Sequence, residues 1–130
     1  MLTVENALRA YAAMMNTLEV SRLEPLLADD FHYSSQAVFE EIRSKSEYIE
    51  YVTAKLAAIR TAGSRIWAEM GHVESGFAFP GPCVVLAQNA RENVIATVVV
   101  EVKDGKITRL DMRHVAPLPH QAERIGEYPE

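Results

Sequence analysis

The sequence predicts one small α+β domain, three helices folded over a curved antiparallel sheet that encloses an apolar interior. Three observations lead there. Apolar residues recur at helical spacing in the first half of the chain, strand-like runs fill the second half, and those runs are joined by short turns that make consecutive antiparallel hairpins. At 130 residues, 48% hydrophobic and 24% charged, the chain has the size and composition of a single folded domain with one core.

Thr3 precedes Val4, Leu8, Tyr11, Met15 and Leu18, which recur at spacings of four and three, so a capped amphipathic helix is expected over about residues 3–17. A second, short helical run is expected around Leu23, Leu26 and Leu27, with Pro25 in its first turn and Asp29-Asp30 closing it. In Phe31-His32-Tyr33-Ser34-Ser35 aromatic and polar residues alternate, which is a strand with Phe31, Tyr33 and Ser35 on its buried side. Ser44 caps the longest helix, about 45–62, marked by Ile49, Val52, Leu56 and Ile59 and ended near Gly63. Four strands then fall near 65–75, 83–89, 93–103 and 106–115. Their turns are Phe-Pro-Gly-Pro at 79–82, Asn89 to Asn93, and Lys103-Asp104-Gly105-Lys106, whose Asp-Gly pair is a strong hairpin signal. The domain is expected to end at residue 118, with 119–130 a C-terminal tail that wraps the surface or meets a partner subunit.

Charge and cysteine content narrow the partners. A net charge of -5 with scattered basic residues argues against nucleic acid, whose affinity comes from Lys and Arg displacing counterions. Cys83 is the sole cysteine, so no intrachain disulfide forms and a reducing, cytoplasmic setting is expected; in Pro-Cys-Val-Val-Leu it reads as a buried small hydrophobe. The N-terminus has no basic region followed by an apolar core, and no run of about 18 apolar residues spans a membrane. Glu40-Glu41, Glu47 and Glu50 read as solvated charges near a helix start.

The element order, Leu26-Leu27-Ala28-Asp29-Asp30-Phe31 and the closing Gly105-Lys106-Ile107 hairpin resemble the nuclear transport factor 2-like superfamily, with its SnoaL-like and ketosteroid isomerase-like members, over residues 3–118. The resemblance implies a cone-shaped, cystatin-like α+β barrel, a ligand pocket inside the cone, and often a homodimer through the outer sheet face. It does not imply one activity, because the fold hosts many. In the ketosteroid isomerase-like branch, the oxyanion tyrosine would match Tyr11, but the base position holds Ser35 and the second donor position Val98. A serine is no unassisted base and a valine no donor, which argues against that mechanism. An Asp-Arg-Asp hydrolase arrangement is suggested by Asp111 and Arg113, yet both alternate with the apolar set on the last strand and should face away from it.

The same alternation turns Val98, Val100, Val102, Leu110, Met112 and His114 inward and Thr97, Val99, Glu101, Arg109, Asp111 and Arg113 outward, the face expected to form the dimer. The candidate pocket is therefore lined by Tyr11, Met15, Phe31, Tyr33, Ser35, Val98, Leu110, Met112 and His114 and takes a small hydrophobic molecule with a few polar groups. His114 and Tyr11 are the candidate catalytic groups, His114 as general acid-base because a histidine titrates near about 6.5, Tyr11 or Tyr33 as electrophilic donor. Ser35 lacks a nucleophile elbow. Trp67 and Met70, at odd spacing, point to opposite faces, so only one lines the cavity. His32, His72 and His114 sit on separate strands without metal-motif spacing, so no metal and no cofactor are expected. Three readings follow: a small-molecule-binding domain, an isomerase, lyase or hydrolase on the same pocket, and a dimerisation or adaptor module whose pocket is filled by its own side chains.

Overall fold

The computed structural model describes residues 1–36, 40–77, 79–114 and 121–130. Helix α1, Val4–Thr17, begins where Thr3 Oγ1 accepts a hydrogen bond from the Asn6 amide, and buries Ala7, Leu8, Tyr11, Ala12, Met14 and Met15. Helix α2, Lys45–Ala62, is capped by Ser44, whose hydroxyl accepts from the Glu47 amide at 3.2 Å, and stops at Gly63 with φ 68°. Both boundaries follow the sequence reading, for the reasons given there: a side-chain acceptor at the start and a left-handed glycine at the end.

The expected second helix is absent as an α-helix. Val20–Arg22 and Glu24–Leu26 form two 3₁₀ turns, and Leu27 already belongs to strand β1, Leu27–Ser35. Pro25 sits at the start of its turn and donates no hydrogen bond, so nothing extends the turn into a helix. Leu23 and Leu27 are both buried, and their spacing of four, which imitates a helical stripe, joins a turn to a strand.

Strands β2 (Ile66–Val73), β3 (Gly81–Gln88), β4 (Val94–Lys103), β5 (Lys106–Arg113) and β6 (Ala122–Arg124) complete a six-stranded sheet of order β1-β5-β4-β3-β2-β6. The hairpins from β2 to β5 are antiparallel, and Asp104 and Gly105 both take positive φ (53° and 76°), as a two-residue turn of this hand requires. The sheet is not wholly antiparallel. β1 lies parallel to β5, with Tyr33 opposite Leu110 and Ser35 opposite Met112, because α2 and three strands intervene and return the chain in the same direction. Position 115, expected to end the last hairpin strand, and the boundary at 118 and 119 lie outside the described residues.

Residues 121–130, set apart as a tail by the sequence, lie against the domain. β6 pairs with Gly71, His72 and Val73 of β2. Gly71 is required here: a methyl group on it would stand 2.8 Å from the Glu123 carbonyl oxygen and 3.1 Å from Val85 Cγ2. Beyond β6, Glu69 accepts from Arg124 Nε, the Gly126 amide and the Tyr128 hydroxyl, each at 2.7 Å. The Asn16 amide group donates to Pro129 O and Ala68 O and accepts from the Ala68 amide. Arg9 pairs with Glu127 at 2.7 Å.

The main core lies between the helices and the inner face of the sheet. A smaller cluster, Val73, Cys83, Val85 and Ala122, is buried on the outer face. Burial pushes the Cys83 thiol up to about 12, so it is an inert apolar filler, as its sequence context suggests.

Candidate functional site

Alternation along β5 and β4 turns Leu110, Met112 and Val98 into the main core, and β1 adds Phe31, Tyr33 and Ser35. Tyr11 and Met15 reach the same core from α1. Eight of the nine predicted pocket residues are therefore buried together, and His114 is half-buried at the end of β5. None of four cavities among the described residues, of about 220 to 520 Å³, is lined by any of the nine. Their side chains pack on one another.

That packing is rich in phenols. Tyr48 of α2 packs at a tilt against Phe31 and Tyr33 with ring centroids 4.9 and 5.0 Å apart, and Tyr51 lies 5.4 Å from Tyr33. Burial drives the Tyr11, Tyr33 and Tyr48 hydroxyls well above their ordinary range, and neighbouring phenols add to the shift, so all three stay protonated. Tyr33 Oη lies 3.9 Å from Met112 Sδ.

The residue that sequence reasoning missed is Lys55. It stands one turn beyond Tyr51 on α2, half-buried, with Nζ 4.0 Å from the same Met112 sulfur. Burial lowers its pKa. No carboxylate pairs with it among the described residues, and residues 37–39, 78 and 115–120 contain no Asp or Glu. The signal was present in the sequence, since Lys55 falls within the stripe of Tyr48, Val52 and Leu56 that α2 buries.

His114 Nδ1 lies 3.1 Å from the Ile95 carbonyl oxygen. A carbonyl only accepts, so Nδ1 carries the hydrogen, and in the neutral ring Nε2 is left with a lone pair. Nε2 is buried without a hydrogen-bond partner among the described residues. The His114 backbone amide donates to Gln36 Oε1, tying the ends of β1 and β5 together.

The outer face has the expected membership but is less open than a solvated sheet. Thr97 and Asp111 are buried within the single chain. Asp111 accepts from Arg109 at 3.1 Å and faces Arg113 at 3.3 Å, Arg109 also reaches Glu41, and the Arg113 guanidinium lies 4.3 Å from the Phe79 ring centroid. Arg109, Asp111 and Arg113 alternate along one strand, which puts the acid between two bases on one face. His32 also lies here, 3.6 Å from Glu41. Of the pair at odd spacing, Met70 joins the main core, while Trp67 is flanked by the guanidinium groups of Arg65 and Arg91 at 4.0 and 4.4 Å, with Tyr128 edge-on at 5.9 Å.

No protein-family model matches the chain, and no curated protein does. Solved structures do. It is similar to an NTF2-like protein of unknown function from Cytophaga hutchinsonii, at 13% identity and TM-score 0.59, covering 86% of this chain and 89% of that one. It is similar to an LEH-like epoxide hydrolase from M. tuberculosis, at 18% identity and TM-score 0.51, covering 85% and 83%. It is also similar to a de novo designed protein with a curved β-sheet, at 14% identity and TM-score 0.60, covering 87% and 88%. A designed protein among them underlines that the shared feature is architecture, not chemistry. The chain has the nuclear transport factor 2-like fold.

Proposed function

We propose that the chain binds a small, largely apolar molecule carrying an electron-rich oxygen, at the end of the inner sheet face where β1 and β5 finish, with Lys55 as its anchor. One observation carries this reading: a half-buried ammonium beside the Met112 sulfur that Tyr33 also meets, with no carboxylate partner among the described residues. Leaving a cation in apolar surroundings is costly, and proteins keep such groups where a ligand or reaction uses them. Tyr33 and Tyr51, with ring centroids 5.4 Å apart, supply phenol donors for that oxygen, and Phe31, Leu110 and Val98 supply apolar walls. Met112, between Tyr33 and Lys55, is the adaptable side chain whose movement makes room.

Benzoate, an aromatic carboxylate, is a suitable probe. Titration followed by NMR is expected to shift resonances of Tyr33, Tyr51 and Met112, and Lys55→Met is expected to weaken binding about tenfold, the worth of one charge-assisted hydrogen bond. Equal affinity in the variant would remove Lys55 as the anchor.

A second reading, an enzyme using His114 as general base, is favoured by the lone pair on the buried Nε2, which has no hydrogen-bond partner among the described residues. It predicts that the protein catalyses hydrogen exchange at the α-carbon of a probe ketone such as acetophenone in D2O. His114→Ala should lower that rate by about 100-fold while leaving benzoate affinity within about twofold. Exchange that is absent, or unchanged in the variant, refutes the base.

A further inference from the structure

Resting on the proposed binding site, the geometry points to a covalent role that its ligand chemistry does not require: we infer that Lys55 is an amine nucleophile that forms a reversible imine with an aldehyde or ketone held between Tyr33, Tyr51 and Met112. Four features support it. The Lys55 stem lies within the buried stripe of α2, so its Nζ is directed at the Tyr33 end of the core and is not free to sweep through solvent. Nζ has a thioether beside it and no acid among the described residues to hold the ammonium form, and burial favours the free amine. Tyr33 meets the same sulfur and remains a phenol, able to donate to a carbonyl oxygen and polarise it. The residue is half-buried, so part of it is open to solvent.

The step balances within these groups. The Nζ lone pair adds to the carbonyl carbon, a C–N bond forms as the C=O π bond opens, and the oxygen takes a proton from Tyr33 or water. The nitrogen, which now carries two protons, returns one to Tyr33 or water and delivers the other to the hydroxyl, which leaves as water as C=N forms; hydrolysis reverses both stages.

The test uses the unmodified full-length chain with benzaldehyde and sodium cyanoborohydride, which reduces an imine to a stable benzylamine, followed by peptide mapping. Lys45, Lys103 and Lys106 are internal controls. The expected result is one benzyl group on the peptide containing Lys55, formed severalfold faster than on any other lysine near neutral pH, because the lysine is set beside Met112 and burial disfavours its ammonium form. Excess benzoate should slow that labelling and leave the controls unchanged. Uniform labelling of the four lysines, in a protein that does bind benzoate, overturns the imine and leaves the binding site standing. Uniform labelling without benzoate binding overturns both. No outcome depends on whether a variant folds.

Discussion

Glu69→Ala is expected to destabilise the fold by about 3 kcal/mol and to release the last ten residues from the domain. Glu69 is 4% exposed, and its two oxygens accept three hydrogen bonds, from Arg124, the Gly126 amide and Tyr128. Removing it leaves a guanidinium, an amide and a phenol without their acceptor at once, and the cost of orphaned donors exceeds the modest net value of the bonds themselves. Urea denaturation measures the loss, and hydrogen exchange over residues 121–130 locates it. A stability within about 0.5 kcal/mol of the unsubstituted protein would mean that the tail is held by β6, Asn16, Arg9 and the backbone bonds to Met70 without Glu69. The same contacts set a pH dependence. Burial alone would raise the carboxyl, but the hydrogen bonds from Tyr128, Arg124 and Gly126 outweigh it and hold the group below its ordinary value. Its stabilisation is therefore complete above the unfolded value of about 4.3 and is lost as pH falls through the lower folded value.

Lys55→Met is expected to act in the opposite direction, raising stability by about 1 kcal/mol at pH 7 while abolishing imine formation and weakening benzoate. Methionine matches the stem of the lysine and places no charge beside Met112 and the tyrosines. In the unsubstituted protein the amine is harder to protonate folded than unfolded. Between the lowered folded value and the unfolded value of about 10.4 the unfolded chain holds the extra proton, so stability rises with pH across that interval. The variant should lack this rise. Above pH of about 10 the buried phenols of Tyr11, Tyr33 and Tyr48 reverse the trend in both proteins, because they ionise more readily once unfolded. Denaturant curves at pH 7, 8 and 9 distinguish the cases; a variant no more stable than its parent would show that the ammonium is well solvated where it lies.

Long periodic segments and their caps were legible in the sequence. Thr3, Ser44 and Gly63 mark the helix ends because capping is a local interaction, and Asp104-Gly105 marks its turn because the required φ is local too. What failed was non-local. Leu27 carries the spacing of a helical stripe, but its pairing with Ile107 decides its state. Ala122-Glu123-Arg124 is too short to display a period, and it is a strand because β2 lies beside it. The candidate site divides the same way: strand alternation collected six of the eight buried pocket residues and helical spacing the other two, Tyr11 and Met15, whereas the importance of Lys55 lies in the carboxylate that is absent around it among the described residues, a property of the folded surroundings. Asp111 and Thr97 took the expected face, and their burial again depended on what covers that face.

The two margins of the sheet are closed by different means. Along β2, successive outward-directed backbone groups are met by the Asn16 side chain at Ala68, by Ile125 and Glu127 at Met70, and by β6 from Gly71 to Val73. At the other margin, Ile42 exchanges a pair of backbone hydrogen bonds with Tyr33, at 2.8 and 2.9 Å. An open edge is a template on which another chain can add a strand, the first step of aggregation. Here the C-terminal residues act as a guard on that template, so variants that free them should fail by self-association as well as by unfolding, and a fusion at the C-terminus starts from the residues that keep the edge covered.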